Sequence, residues 1–184
     1  DDTCHQRFIK QYGELPLGYD HKYVYSHFGY NLKVTDMQAA IGVAQLEKLP
    51  NFTEKRIENF NKLFNELKDL EEFIFVKAQP NSNPSWFGFM LTLEDNTKFA
   101  RNDIVQYLEN NNIQTRNLFA GNMLKHPMFN NLQEDVDYRV IGNLPNTNKI
   151  MNDSFWIGVY PGMNNEMIEY MIKKIKEYLK VKNG

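Results

Sequence analysis

Residues 26–40 read S-H-F-G-Y-N-L-K-V-T-D-M-Q-A-A, and this stretch decides how the rest of the chain is interpreted. Thr35 and Gln38 have the spacing of a capping box, in which two side chains satisfy free backbone N–H groups at the start of a helix. Asn31 and Lys33 lie two residues apart before that helix, so in an extended segment both side chains point to one face. An amide and a cation beside a helix N-terminus predict an anion site, above all for phosphate; the alternative is an ordinary capped helix after a loop.

Composition indicates a globular protein and excludes two classes of partner. The 184 residues are 42% hydrophobic and 24% charged, and the formal net charge is −2. That charge provides no electrostatic footprint for nucleic acid or for an anionic membrane. No apolar run approaches the roughly 20 residues of a membrane span, and the first residues lack the apolar core of a signal peptide. One cysteine, Cys4, excludes an internal disulfide and favours a reducing compartment, so we expect a cytoplasmic protein.

The hydrophobic pattern divides the chain into three regions. Residues 1–34 show no helical or strand period and are expected to form an irregular arm or interface loop. Residues 35–70 are expected to form interdomain helices, a first helix that Pro50 interrupts and a second that ends near residue 70. Residues 71–184 alternate strands and helices, which predicts a small α/β domain, specifically an α+β two-layer sandwich with helices on one face of a small sheet.

Within that domain the strands and helices are read from alternation and capping residues. Residues 73–76, 85–93, 113–118 and 155–160 are predicted strands, and residues 119–138 form a long loop with about one helical turn. Asn102 is predicted to cap a helix ending near Asn110, and Asn146 begins a short helix that ends near Asn152. Asn164 or Asn165 caps the last helix, whose packed face is formed by Ile168, Met171, Ile172, Ile175 and Leu179.

On residue types alone the chain offers binding groups without a catalytic centre. It contains no P-loop, nucleophile elbow, zincin motif or dinucleotide fingerprint. Arg116 at a strand end, Asn122 in the long loop and Lys149 near a helix start could bind phosphate or sugar hydroxyls. On residue types alone, a surface ion pair or a loop hydrogen bond is the favoured interpretation of each. Cys4 reads as a free thiol, because no second cysteine could share a metal with it.

The motif G-Y-N-L-K-V-T-D-M-Q-A-A-I-G-V-A-Q-L-E-K-L resembles a signature of the sugar aminotransferase (DegT/DnrJ/EryC1/StrS) family. The segments P-S-W-F-G-F, T-R-N-L-F-A-G-N and N-T-N-K-I-M-N-D-S-F-W-I-G-V-Y-P-G extend the resemblance over nearly the whole chain. It implies the small C-terminal domain of a pyridoxal-phosphate enzyme of fold type I. In such dimers Asn31 and Lys33 would reach the partner's cofactor phosphate. Many members carry Arg at the second position; Lys33 keeps the charge but loses the planar fork.

A finer resemblance is to the branch that removes the 3-hydroxyl of CDP-4-keto-6-deoxyglucose in lipopolysaccharide biosynthesis. Y-D-H-K-Y at residues 19–23 and a cysteine ahead of a basic residue and Phe carry it. It implies a homodimer, pyridoxal or pyridoxamine phosphate, a flavin iron–sulfur reductase as partner, and a 2Fe-2S cluster with Cys4 as its fourth ligand. It also implies that six residues line the side that binds the CDP-sugar: Phe87, Phe89, Arg116, Asn122, Lys149 and Trp156.

The same resemblance implies that the catalytic residues lie upstream of this sequence. The other three cluster cysteines, the residues that hold the pyridine ring and a catalytic His would all precede Asp1. We therefore expect a C-terminal fragment that is inactive alone, because the cofactor carries the hard chemistry. Two alternatives stay open: a sugar-nucleotide aminotransferase, with a Lys in place of that His, and a non-catalytic binding or interaction domain.

Overall fold

The computed structural model describes residues 9–20, 24–30, 32–96 and 98–183. For Asn183 it describes the backbone alone. The chain forms two compact units, Asp1–Val43 and Ala44–Gly184. The larger unit contains the sheet and most of the helices, and the two units are treated separately below.

In the first unit, the described residues before Asp36 form turns and bends with no helix or strand. Helix α1 (Asp36–Leu67) begins where the capping box predicts. The backbone N–H of Thr35 donates to Oε1 of Gln38 at 2.9 Å, and the N–H of Gln38 donates to Oγ1 of Thr35 at 3.3 Å. These two reciprocal bonds confirm Thr35 as the N-cap.

The prediction that Pro50 separates two helices is wrong. Helix α1 is a single element of 32 residues that contains Pro50. A proline removes one backbone hydrogen-bond donor and crowds the preceding turn, but it does not always end a helix. The C-terminal part of α1 is held by packing, because Phe60, Leu63 and Leu67 are buried in the core.

The second unit is built on a four-stranded antiparallel sheet. Its strands are β1 (Phe73–Phe75), β2 (Gly88–Leu93), β3 (Thr115–Asn117) and β4 (Ser154–Gly158), in the order β1-β2-β4-β3. Each strand is shorter than predicted by up to three residues at an end. The long loop contains two 3-10 turns, Met123–Lys125 and Pro127–Phe129.

One face of the sheet, called here the core face, packs against helices. Phe89 pairs with Ile157 and Leu91 with Phe155 across β2 and β4, and all four side chains are 0–1% exposed. The ring of Phe89 lies 5.1 Å from that of Phe60 on α1. Helices α2 (Arg101–Asn110) and α4 (Asn165–Asn183) add buried side chains to the same cluster, which confirms the two-layer α+β fold.

The helix starts are partly as predicted. Asn164 caps α4, since its Oδ1 accepts from the backbone N–H of Met167 at 2.9 Å. The prediction that Asn102 caps α2 is wrong, because the N-cap is Ala100, whose backbone N–H donates to the Asp103 carboxylate at 3.2 Å. Helix α3 (Pro145–Asp153) has Pro at its first position, where the missing N–H costs no hydrogen bond.

Candidate functional site on the open sheet face

The sheet face opposite the core face carries side chains that are exposed or partly exposed. Alternation places Gly88, Met90, Trp156 and Arg116 on this side, and they are called here the open face. Trp156 of β4 lies directly opposite Met90 of β2 and Arg116 of β3. Arg116 is exposed, and Trp156 is partly exposed. The face therefore presents an aromatic ring and a cation side by side.

Aromatic side chains enlarge the apolar part of the open face. The ring of Phe87 meets that of Trp156 edge to face, with centroids 5.0 Å apart, and Phe87 is 65% exposed. With Met90, Leu118 and Phe119 these rings line a cavity of about 230 Å³. Arg116 lines a neighbouring cavity of about 510 Å³ that shares Trp156 as a wall. Concave and largely apolar surfaces with a few polar groups are typical places for a small ligand to bind.

The guanidinium of Arg116 is oriented by its own strand. One Nη donates to the carbonyl oxygen of Thr115 at 2.8 Å. Gln114, with its amide turned so that oxygen faces the guanidinium, accepts from the other Nη at 2.8 Å. Among the described residues, no carboxylate forms an ion pair with Arg116. A guanidinium has five N–H donors, so Arg116 keeps donors for an anionic ligand such as a phosphate.

Glu109 anchors the strand that carries Arg116. Its Oε1 accepts from the backbone N–H of Thr115 at 2.6 Å and from the Thr115 hydroxyl at 2.8 Å. These hydrogen bonds, with Arg116 as a smaller cause, hold the pKa of the Glu109 carboxyl below its usual value. The C-terminal end of α2 is thereby tied to the beginning of β3.

Two residues that are predicted to contact substrate, Lys149 and Asn122, form hydrogen bonds within the chain. The ammonium of Lys149 donates to the carbonyl oxygens of Leu93 and Glu94 at 2.8 and 3.0 Å, and it lies 3.4 Å from the Asp153 carboxylate. Asn122 is 5% exposed. Its amide nitrogen donates to Oδ1 of Asn148 at 2.8 Å, and its oxygen accepts from the N–H of Leu124. Lys149 thus forms an ion pair with Asp153, and Asn122 forms loop hydrogen bonds, which are the alternatives that the sequence left open.

Phe89 does not fit the substrate contact predicted for it. Its side chain is 1% exposed and packs on the rings of Phe60 and Phe75. Strand alternation places it on the opposite face of the sheet from Trp156. The sequence groups Phe87 with Phe89, but β2 begins only at Gly88, so Phe87 lies before the strand and is free of its alternation.

The predicted phosphate site lies in the first unit and is described in part. Lys33 is exposed, and no described residue forms a hydrogen bond or ion pair with it. An ammonium that has no partner within the described ranges and lies two residues before a capped helix fits the phosphate of a pyridoxal cofactor. Asn31 lies outside the described residues.

The predicted iron–sulfur ligand, Cys4, also lies outside the described residues. A 2Fe-2S cluster held by protein thiolates needs four ligands, and the sequence contains one cysteine. Within the described ranges, no group of three or more His, Cys, Asp or Glu side chains could hold a metal ion. This chain can therefore contribute at most one thiolate to such a cluster.

Some residues of the open face were not predicted. Leu118 and Phe119 help to line the cavity, and Gln114 helps to orient Arg116. Gln114 precedes Arg116 by two residues, which is the one signal in the sequence that could have suggested the pairing. The position of Leu118 and Phe119 next to Trp156 depends on strand order, which the sequence does not reveal.

Comparison with known proteins settles the family. The model of the DegT/DnrJ/EryC1/StrS aminotransferase family matches residues 3–176. The chain belongs to this family. Helices long and apolar enough to cross a membrane are absent from the described part of the chain.

Two curated relatives match almost the whole chain. It is 50% identical over 179 residues to the lipopolysaccharide biosynthesis protein RfbH of Salmonella typhimurium, covering 97% of this chain and 40% of that protein. It is 44% identical to the dTDP-4-dehydro-2,6-dideoxy-D-glucose 3-dehydratase of Saccharopolyspora spinosa, covering 97% of this chain and 38% of that enzyme. The chain thus spans about two-fifths of the length of these relatives.

A solved structure matches the fold. Escherichia coli GDP-4-keto-6-deoxy-D-mannose-3-dehydratase, with bound hydrated PLP, is 26% identical and superposes with a TM-score of 0.71. The match covers 83% of this chain and 38% of that enzyme. The fold is therefore that of one part of a pyridoxal-phosphate sugar enzyme, as the resemblance implies.

Proposed function

We propose that this chain is the C-terminal part of a nucleotide-sugar 3-dehydrase that depends on pyridoxal or pyridoxamine phosphate. The observation that carries the proposal is 50% identity to a lipopolysaccharide biosynthesis protein over 97% of the chain. The 44% identity to a 3-dehydratase of similar coverage supports the same reaction class. We propose CDP-4-keto-6-deoxyglucose as the substrate and a 3,6-dideoxyhexose precursor as the product. Because the chain covers two-fifths of its relatives, the activity is assigned to a protein of their full length.

The residues of this chain have binding roles in the proposal. Lys33, together with Asn31, would neutralise the cofactor phosphate of the neighbouring subunit in a homodimer, because charge-assisted hydrogen bonds are the strong ones. Arg116 would bind the diphosphate of the nucleotide sugar, and Trp156 with Phe87 would contact its apolar parts. When bound, the cofactor supplies an electron sink next to the leaving 3-hydroxyl group.

The remaining parts of the proposal concern partners. Cys4 would be one of four ligands of a 2Fe-2S cluster, which would receive electrons from a flavin iron–sulfur reductase. Nucleotide sugars and reductases of this kind are used in the cytoplasm, so we place the enzyme there. The chain alone is expected to be inactive, because no catalytic residue is assigned to it.

The test is expression of the full-length gene and assay of the CDP-linked keto-sugar with pyridoxamine phosphate and a flavin iron–sulfur reductase, because replacing the 3-hydroxyl by hydrogen needs two electrons besides the loss of water. The expected result is turnover, together with cluster absorption in the purified protein. Lys33→Ala should weaken cofactor binding about tenfold, and the matched variant Lys33→Arg should keep it, since Arg also binds phosphate. A colourless protein that leaves the keto-sugar unchanged would refute the proposal.

The second candidate function is that of a sugar-nucleotide aminotransferase, because the matching family is described as an aminotransferase family. A sugar-nucleotide aminotransferase would transfer an amino group from an amino-acid donor to the keto-sugar and would carry a Schiff-base Lys upstream. The same full-length protein decides between them: an amino-sugar product indicates transamination, and a deoxygenated product indicates dehydration. A protein that binds the nucleotide sugar and converts nothing would indicate the third class, a non-catalytic binding domain.

A further inference from the structure

Two glycines face each other on the open face. Gly88 begins β2 and Gly158 ends β4, and the two are direct cross-strand partners. Neither has a left-handed backbone, so any reason for glycine must be sought in the space around each Cα. Directly opposite residues of an antiparallel pair lie on the same face, and here both glycines share it with Trp156.

The space around the two glycines differs sharply. A Cβ on Gly88 would lie 2.7 Å from Cε3 of Trp156, 3.1 Å from its Cδ2 and 3.2 Å from the carbonyl oxygen of Ile157. A Cβ on Gly158 would meet only Cδ1 of Tyr160, at 3.7 Å, which is ordinary van der Waals contact. Since real side chains do not approach to 2.7 Å, the indole ring occupies the volume that a side chain at residue 88 would need.

The ring that lies over Gly88 also shapes the cavity. The indole of Trp156 is a wall of the 230 Å³ cavity, and Gly88 and Met90 lie beneath it. The same indole supports Phe87 through the edge-to-face contact at 5.0 Å. On β3, Arg116 is the direct neighbour of Trp156. A shift of the indole would therefore change the apolar wall and its distance from the cation together.

We propose that Gly88 is a positioning residue for substrate binding: it holds the indole of Trp156 flat on β2 and so sets the shape of the cavity. This inference rests on the proposed function, because it assigns the open face to the nucleotide sugar. Gly88 lines the cavity but has no side chain with which to bind a ligand, so its role is exerted through Trp156. It is expected to affect substrate affinity and to leave the chemical step unchanged.

The kinetic test uses the full-length enzyme and four variants: Gly88→Ala, Gly158→Ala, Trp156→Leu and the double variant with Gly88→Ala and Trp156→Leu. Gly88→Ala is expected to raise KM for the nucleotide sugar about fivefold and to change kcat less than about twofold. Gly158→Ala is the matched control for the steric contact alone, since its Cβ would not meet the indole, and it is compared by the fluorine resonance described below. In the Trp156→Leu background, Gly88→Ala should add less than about twofold to KM, because the ring it displaces is gone.

A second readout does not depend on turnover. Fluorine NMR of 5-fluorotryptophan-labelled protein, with Trp156 assigned by its loss in Trp156→Leu, should show a shifted Trp156 resonance in Gly88→Ala and an unshifted one in Gly158→Ala. Should Gly88→Ala alone give no folded protein, the double variant decides: recovery of folded protein supports the steric contact, and failure to recover overturns it.

The outcomes separate the two proposals. A KM unchanged by Gly88→Ala, or raised equally in the Trp156→Leu background, overturns the positioning role. An unshifted Trp156 resonance in Gly88→Ala overturns it as well. A parent protein that turns over no nucleotide sugar, but whose Trp156 resonance still shifts, refutes the proposed function and supports the contact between Gly88 and the indole.

Discussion

The two faces of the sheet differ in how far their side chains are exposed and in whether they carry a charge. Leu91 and Phe155 on the core face are 0% exposed, whereas Phe87 beside the open face is 65% exposed. Both faces are aromatic, and the open face also carries the guanidinium of Arg116, which forms no ion pair with a carboxylate of the described residues. The buried face stabilises the unit, because burial of apolar surface provides stability. The exposed apolar patch beside Arg116 supports the proposal that the open face binds the nucleotide sugar.

The sharpest test of the comparison is a pair of truncations. Leu91→Ala on the core face should lower the free energy of unfolding of the chain by about 3 kcal/mol, since it removes buried methyl groups and leaves a cavity. Phe87→Ala should lower it by about 0.5 kcal/mol, because an exposed side chain loses little on truncation. Urea unfolding measures both, and equal losses would contradict the division into two faces.

At one end of the open face, a pair of hydroxyl groups is buried. Oγ1 of Thr92 lies 2.7 Å from Oγ of Ser154, and the two residues are 7% and 0% exposed. Thr92→Val should lower the free energy of unfolding by about 1.5 kcal/mol, because it leaves the Ser154 hydroxyl without that partner. Adding Ser154→Ala should recover part of the loss. A double variant whose loss equals the sum of the single losses would show that the pair does not act as a unit.

Substrate affinity should depend on the cation of the open face. In the full-length enzyme, Arg116→Ala should raise KM for the nucleotide sugar about tenfold, which corresponds to about 1.4 kcal/mol. Arg116→Lys should lose less, since it keeps the charge but not the fork. Thermal unfolding of both variants is the control and should match the parent. A KM that Arg116→Ala leaves unchanged would remove Arg116 from the site.

The smallest expected effect is in acid. The pKa of Glu109 is lowered in the folded chain, so its bonds to Thr115 stabilise the fold above the unfolded value of about 4.5 and are lost as pH falls through the folded value. Glu109→Gln does not titrate and should show a shallower loss of stability below pH 4.5. Urea unfolding at a series of pH values measures the slope, and an identical slope in both proteins would contradict the assignment.

Much of the fold could be predicted because local patterns and packing agree. The capping box at Thr35, the packed face of α4 and the alternation of Phe89, Leu91 and Leu93 all match the structure. Each depends on neighbours within a few residues, which a sequence displays directly. The family followed from motifs in the same way and was confirmed by the family model.

The structure differs from what the sequence suggests where distant parts of the chain decide the outcome. Pro50 does not end α1, because side chains such as Leu63 secure the following turns against the sheet. Lys149 is used by the carbonyl oxygens of Leu93 and Glu94, more than fifty residues away in sequence. The sequence pattern gives Phe87 and Phe89 the same role, and only the start of β2 at Gly88 shows that Phe87 lies before the strand. In each case a tertiary contact overrides a local signal.

The most direct test of the account compares affinity and stability in one variant of the full-length enzyme, Trp156→Ala. Trp156 is partly exposed and lies at the centre of the open face, between Met90 and Arg116. The account predicts that KM for the nucleotide sugar rises about tenfold while the unfolding midpoint moves only slightly. An unchanged KM together with a large loss of stability would show that the open face, like the core face, serves only to stabilise the fold.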